Sequence, residues 1–446
     1  MPPNATANAG AVARAVPRLR KPLPSGPFAV VAVALFVLLM DGNLATPLYA
    51  VYRERFGFST TELTLIFTTY TIALIPSLLL FGQLSDRIGR RRVLAGGLVL
   101  AAVGLVVLAL ASSTVWLFVG RAVQGVSLGA VVGTAAAALV ELQPRGDHGR
   151  AALATVLGQS GGSAAGPLVA GALAQWAPAP RQLCYLLAFG VTLAMALAVL
   201  GIEEPREPSG EWRLQRPSVP APIRARFARA GLTGASVWAV GALYLSVIPS
   251  YAAKLLSTGN LALLGAISAL MLAMACVAQA FCMRGALPPR RAQPVGLLRL
   301  VAGVAALVLA FPTHSLALVL VSALLAGTGL GLGYFGSQAE INQIAPPERR
   351  GEVTAAFITT LYTGVSTTVI SVGVLSDAYS LYTAVAVAGI AITAVAGPRR
   401  RGTWDYSRTA ALSAGSRSGR RKRYPSSSRR RGSTRAPFVT IEAISP

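Results

Sequence analysis

The chain has 446 residues, of which 54% are hydrophobic and only 13% charged, and it carries a formal net charge of +24 from 40 basic and 16 acidic residues. Soluble domains carry roughly 25% charged residues, so these figures exclude a soluble globular enzyme and make the bilayer the solvent for which the chain is built. Cys184, Cys276 and Cys282 all lie in apolar runs and His148 and His314 stand far apart, so no disulfide framework, metal-ligand cluster or cofactor is expected.

Residues 1–27 form an N-terminal tail. Apolar runs follow near 28–48, 63–83, 93–112, 115–139, 152–176, 182–201, 230–250, 261–283, 294–312, 315–338, 353–375 and 381–397. Each has about the 20 residues a helix needs to cross the hydrocarbon core, which predicts an all-α membrane protein of twelve transmembrane helices. With the N-terminus placed inside, the bases gather in the tail, at 87–92, 145–150, 206–229, 284–299 and 349–350, and after residue 398. Only Arg53, Arg55, Arg181 and Lys254 fall on the other side, and Arg121 is counted as the one base within a span. Basic residues resist translocation, so both termini are expected in the cytoplasm and the chain in the inner or plasma membrane. The first run reads as a permanent helix rather than a cleaved signal, because no small-residue cleavage site precedes the polar stretch Tyr52 to Phe56. On that side of the membrane the sequon Asn4-Ala-Thr6 would not be glycosylated.

Span 1 holds a lone acid, Asp41, followed by Asn43. Between spans 2 and 3 stands Gly82-Gln-Leu-Ser-Asp86-Arg87-Ile-Gly89-Arg90-Arg91-Arg92, in which glycines permit a tight turn and one acceptor sits among four arginines. Span 4 carries Gly120-Arg121-Ala-Val-Gln124-Gly125, an arginine and an amide one turn apart on the same helix face. An ionisable residue at membrane depth costs about 2.5 to 3.5 kcal/mol on insertion scales, so Arg121 needs a partner or a wet cavity. Counting a rise of about 1.5 Å per residue along spans that run in opposite directions puts Asp41 at nearly the same depth, and Asp41 is the expected partner. Span 5 spaces Gly158, Gly162 and Gly166 four residues apart, followed by Pro167 and Gly171. This predicts a smooth face for close helix approach and a kink at the proline.

Three of these elements, in this order, resemble the major facilitator superfamily: GxLxDRxGRR between spans 2 and 3, RxxQG on span 4, and GxxxGPxxAG on span 5. The last is similar to the antiporter signature of the drug/proton branch, with Ala170 where glycine is usual. The resemblance covers about 28–397 and is stronger in the first six spans; the 284–291 loop lacks the aspartate. It implies that Gly82, Asp86, Arg87, Gly89, Arg90 and Arg91 act as a conformational latch, with Asp86 meeting the start of span 11 at Gly351 to Ala355. It also implies Asp41 and Arg121 as the proton-coupling pair. A hydrolase reading of span 5 fails: Gly158-Gln159-Ser160-Gly-Gly162 matches a nucleophile elbow only formally, since Ser160 is expected within a helix and no histidine is expected in the membrane.

Residues 202–229, rich in proline and charge, read as a cytoplasmic linker between two six-helix units, 28–201 and 230–397. Weak internal repetition supports the division: Arg91-Arg92 answers to Arg290-Arg291, Glu141 to Glu340, and Pro47-x-Tyr49 to Pro249-x-Tyr251. Such duplicated plans hold substrate near the midplane between the units, where Asn43, Gln124, Gln159, Trp238 and Tyr244 are expected to line a cavity. The tail 398–446 is rich in arginine and serine and reads as disordered, with attraction to anionic lipid headgroups as its expected role and no nucleic-acid binding. The expected activity is therefore proton-coupled efflux of small lipophilic neutral or cationic compounds by a monomer. A sugar or metabolite symporter of the same fold is the first alternative, and a transport-inactive membrane sensor the alternative of another class.

Overall fold

The computed structural model describes residues 25–143, 146–205 and 216–396; the tail 398–446, most of 1–27 and the middle of the 202–229 linker lie outside the described residues. Among the described residues every regular element is helical. In chain order these are α1 (Ser25–Asn43), α2 (Ala45–Phe56), α3 (Thr60–Ile88), α4 (Arg90–Ala109), α5 (Thr114–Glu141), α6 (His148–Val156), α7 (Gly162–Trp176) and α8 (Leu183–Leu200). There follow α9 (Arg224–Ser246), α10 (Ile248–Leu255), α11 (Leu261–Met283), α12 (Pro289–Thr313), α13 (Leu316–Ile344), α14 (Arg350–Ala378) and α15 (Leu381–Ala396).

All twelve apolar runs fall on helix, but they are not equally regular. Nine described helices are long and apolar enough to span a bilayer, and α9 with α10 makes a tenth, bent by 55°. The run at 152–176 is interrupted by a π-helical turn at Leu157–Gly161, and α15 has only 16 residues. The chain breaks α1 from α2 at Leu44 because Pro47 has no N–H to give the carbonyl one turn back. Pro249 stands at the start of α10, beside the matching bend. Proline stands at the same place in both apolar runs, but α1 and α2 continue as one span, Gly26–Phe56, whereas α9 and α10 are sharply bent.

Arg299 departs from the basic-segment census. It stands well inside α12, which starts at Pro289, and its side chain is exposed. A long arginine on a lipid-facing surface can carry its charge toward the headgroups along its aliphatic stem, so its position does not disturb the helix.

Helix pairs approach closely where one of them is stripped of side chains. A Cβ on Gly125 or Gly129 of α5 would strike the α3 backbone at Tyr70 and Leu74. With the chain alternating direction from span to span, the α3–α4 turn marks the arginine-rich end of the bundle. The starts of α3 and α11 lie at the opposite end.

Candidate functional site at the α1 break

At the break between α1 and α2 the Asp41 carbonyl accepts from the Leu44 N–H at 3.4 Å, and α5 supplies further donors to the carbonyls there. Arg121 Nη1 donates to the Gly42 carbonyl at 2.7 Å and to Gln124 Oε1 at 2.8 Å, while Gln124 Nε2 donates to the Asp41 carbonyl at 3.1 Å. Both side chains are buried, as is Asp41. The guanidinium carbon lies 4.7 Å from the centre of the Tyr70 ring and 5.6 Å from that of Phe67, close enough for cation–π attraction. The spacing of arginine and amide one turn apart thus lets one helix face grip two successive carbonyls.

Asp41 and Arg121 come to one site but form no ion pair. The Asp41 carboxylate instead accepts from Thr192 Oγ1 of α8 at 2.5 Å through Oδ2, and Oδ1 has no partner. At the break the Asp41 side chain points toward α8, while the Asp41 and Gly42 carbonyls point toward α5. The cation is held by neutral oxygens and aromatic faces, and the acid by a single hydroxyl.

The other expected cavity residues divide. Asn43 is half-buried and donates to the Leu39 carbonyl at 2.8 Å, bridging the end of α1. Gln159 sits half-buried in the π turn, and its neighbour Ser160 accepts from Gln279 Nε2 of α11 at 3.1 Å. Trp238 is half-buried and faces Tyr334 and Tyr362, each with ring centroids 5.3 Å away. Tyr244 differs from expectation: it is buried in the core and its hydroxyl pairs with Ser322, so its polar tip is spent on packing α9 against α13. Thr192, Phe67, Tyr70, Tyr334 and Tyr362 are not singled out by the sequence reading. Only Thr192, the one threonine in the apolar stretch Leu183–Leu200, carries a signal that could have found it.

The glycines of span 5 do produce close approach. Gly158 lies against Leu35, and a Cβ on Gly162 or Gly166 would strike the α1 carbonyls of Phe36 and Met40. Gly171 packs on the start of α11 at Leu261 and Gly265, and the Pro167 carbonyl touches Gly265. The helical pattern changes at Leu157–Gly161 rather than at Pro167, which lies inside α7. A π turn leaves a wider ring of backbone bonds and recurs at functional sites.

At the arginine-rich end the expected latch is not engaged. Asp86 is exposed and pairs with Arg90, whose guanidinium also meets Glu141 at 3.1 Å and the Ser85 hydroxyl. The start of α14 has its own acids, Glu348 and Glu352, the second bonded to Arg349 at 2.6 Å, so its partial positive charge is already met. Gly82 lies within α3 in open space and makes no turn. The turn is made by Gly89 alone, at φ +102°, where a Cβ would also meet the Glu204 carboxylate. That carboxylate accepts from the Arg91 backbone N–H at 3.1 Å and so caps α4, while Arg91 Nη1 donates to the Ile202 carbonyl at 3.1 Å. Arg87 is exposed.

The opposite end is closed by two matching clasps. Asp377, at the end of α14, accepts from the Thr60 and Thr61 N–H groups at 3.0 and 2.8 Å. With Ser59 Oγ accepting from the Glu62 N–H and Glu62 Oε2 accepting from the Ser59 N–H, all four free N–H groups that open α3 are satisfied. Gln175, at the end of α7, accepts from the Leu261 N–H at 2.8 Å, and Asn260 caps Leu263 at 3.0 Å. Gly373 packs against Thr64 as Gly171 packs against Leu261 and Gly265.

The Major Facilitator Superfamily profile matches residues 31–369 of this chain. An uncharacterized MFS-type transporter of Mycobacterium tuberculosis (strain ATCC 25618 / H37Rv) is 29% identical over 195 residues, 43% of this chain and 26% of that protein. The cephamycin export protein CmcT of Amycolatopsis lactamdurans is 30% identical over 203 residues, 45% of this chain and 40% of that protein. The matched part thus spans well under half the length of these curated relatives. A bacterial homolog of the human lysosomal transporter Spinster, in an inward-facing and occupied conformation, superposes with a TM-score of 0.67 at 16% identity over 84% of this chain and 96% of that one, a likeness of fold. With the profile running from span 1 to span 11, the chain belongs to the Major Facilitator Superfamily.

Proposed function

We propose that this transporter exports small lipophilic compounds in exchange for protons, by alternating access between the units 28–201 and 230–397. One observation carries the reading: Asp41 is buried at mid-depth with one carboxylate oxygen bonded only to Thr192 and the other unpartnered, beside an arginine that is fixed but not paired with it. A charge so placed is costly at membrane depth, and a proton arriving there removes it. Burial and the nearby cation act in opposite senses on proton affinity, so a movement at the α1 break that changes the distance between Asp41 and Arg121 changes how tightly the proton is held. That is the requirement for coupling.

The glycine-rich face of α7 against α1 supports the antiporter assignment, and the exporter relative agrees in direction. The arginine asymmetry supports cytoplasmic termini in the plasma or inner membrane, and the basic tail would then face anionic lipids of the inner leaflet. The chain works as a monomer in this reading. With the end opposite the arginines closed and the Asp86 latch open, the conformation corresponds to a cavity facing the cytoplasm.

The test compares the parent chain with Asp41→Asn in proteoliposomes, measuring gradient-driven movement of a panel of lipophilic dyes. The variant should lose gradient-driven movement while dye binding remains measurable. Movement at the parent rate, with the same pH dependence, would remove Asp41 as the proton site.

A further inference from the structure

We infer that Trp238 of α9, Tyr334 of α13 and Tyr362 of α14 form the subsite that holds the substrate, and that it takes an uncharged planar ring system bearing a hydrogen-bonding group. The inference rests on the transport reading above and names the chemistry of its cargo.

The three rings, together with the half-buried Tyr70 of α3 and Tyr382 of α15, differ from the fully buried tyrosines in how their polar tips are used. Tyr52, Tyr244 and Tyr251 hydrogen-bond to Leu108, Ser322 and Leu307, and the hydroxyls of Tyr49 and Tyr185 are sealed in the core. Among the described residues, none hydrogen-bonds Trp238 Nε1, Tyr334 Oη or Tyr362 Oη, yet none of these three atoms is sealed. Buried tyrosine and tryptophan ordinarily find partners for these groups. Val237 and Ala239 on either side of Trp238 are buried, as are Gly333 before Tyr334 and Leu361 before Tyr362, while Phe335 is half-buried and Thr363 exposed. Three convergent polar tips on an apolar wall are the composition of a ligand site.

The geometry selects a flat ligand. Tyr362 meets Trp238 edge-on at 80° and Tyr334 is tilted at 58°, an arrangement that leaves ring faces available for stacking. Tyr362 and Tyr70 pack against the same apolar cluster of the first six spans, so the three rings stand where the two sets of spans meet.

Charge selects a neutral one. Helix α9 has no acidic residue, and the acids of α13 and α14 are Glu340, Glu352 and Asp377, all near helix ends. Glu340 is bonded to Arg226 and Gln293, Glu352 to Arg349, and Asp377 to the start of α3. Asp41 is buried and turned to Thr192. The cation on this side is Arg121, already seated over Tyr70. Aromatic rings attract cations, but a cationic ligand here would meet the fixed like charge of Arg121 in a low-dielectric interior, and the carboxylate of Asp41 is turned away toward Thr192.

The test uses the full chain in lipid nanodiscs without any gradient, with Trp116, Trp176, Trp212 and Trp404 replaced by phenylalanine so that Trp238 is the reporter. The probes are 2-naphthamide, its decahydro counterpart read by displacement, and trimethyl(2-naphthyl)ammonium. Saturable quenching by 2-naphthamide is expected, with the other two at least tenfold weaker. Tyr362→Ala and Tyr334→Ala should each weaken 2-naphthamide at least fivefold, and Tyr362→Phe, which keeps the ring, by less than threefold. No saturable quenching by 2-naphthamide, equal displacement by the alicyclic probe, tighter binding of the cation, or unchanged affinity in Tyr362→Ala would each overturn the inference. Because the measurement needs no proton gradient, its outcome is separate from that of the Asp41→Asn transport test.

Discussion

The clasp at Asp377 can be loosened without touching the buried site. In Asp377→Asn the side chain keeps one good acceptor oxygen, so one of the two N–H bonds to Thr60 and Thr61 is lost and the other changes from charge-assisted to neutral. Hydrogen bonds to charged groups contribute about 1.5 to 3 kcal/mol and neutral ones about 0.5 to 1.5. A charge at a helix N-terminus adds a further 0.3 to 1 kcal/mol or so. The lower ends come to about 3 kcal/mol, and because Asp377 is exposed, water competes for these bonds and screens the charge, which reduces the expected loss to about 1 kcal/mol. The bonds exist only while the ends of α14 and α3 touch, so the ratio of conformers open at this end to closed ones should rise about fivefold. Gln175→Ala, removing one neutral bond to Leu261, should raise the same ratio about twofold, and the pair together about tenfold if the clasps act independently. Spin labels at Ser113 and Ser257, in the turns at that end, report the ratio as the weight of the longer distance in a pulsed electron resonance measurement. An unchanged distribution in the double variant would refute the assignment of these contacts as the closure.

Three other outcomes follow from the geometry. Gly162→Leu places a side chain against the Phe36 carbonyl of α1, and should lower stability by about 1 to 3 kcal/mol, read as a fall in Tm in detergent; Gly82→Ala, with open space around the residue, should leave Tm within error. Single cysteines at Ser113 should label from outside and at Arg92 only after the membrane is opened, and the reverse pattern would invert the orientation. Deleting 402–446, which holds ten of the basic residues, should leave transport intact while lowering affinity for vesicles with anionic lipid.

The fold is legible in the sequence because lipid makes an unusually simple demand. Backbone polar groups must be satisfied inside each segment, so apolar length alone announces the helices. What apolar length does not encode is how a span breaks: Pro47 and Pro249 can be read as breakers, whereas the π turn at Leu157–Gly161 has no local signature distinct from a packing glycine face. The site is half legible. Asp41, Arg121 and Gln124 stand out because charge and amide at depth are expensive, and depth counting brings them together. Side-chain direction lies beyond that reasoning, which is why an Asp41–Arg121 ion pair is expected where the structure has two separately held groups. Asp377 escapes for a related reason: an acid at the end of a span looks like a solvated loop residue until its partner, 317 positions earlier, is in view.

The two clasps show what the internal repetition has kept. Thr60 and Leu261 are offset by 201 positions and Gln175 and Asp377 by 202, while Thr64 with Gly265 and Gly171 with Gly373 repeat these offsets, so each contact is the counterpart of the other under exchange of the two sets of spans. The geometry is retained, but a carboxylate closes one contact and a neutral amide the other. The same asymmetry holds at depth. The first six spans contain the buried acid, the buried arginine and the hydroxyl between α1 and α8. Among the described residues, the last six contain no buried acid and no buried arginine, and present the three rings with free tips instead. In the reading proposed above, a duplicated scaffold thus has one side that holds a proton and another that holds an uncharged ring. In that reading the two ligands need not touch to exclude each other. Each has only to favour a different position of α1 relative to α14, and by linkage each would then weaken the other by the same factor.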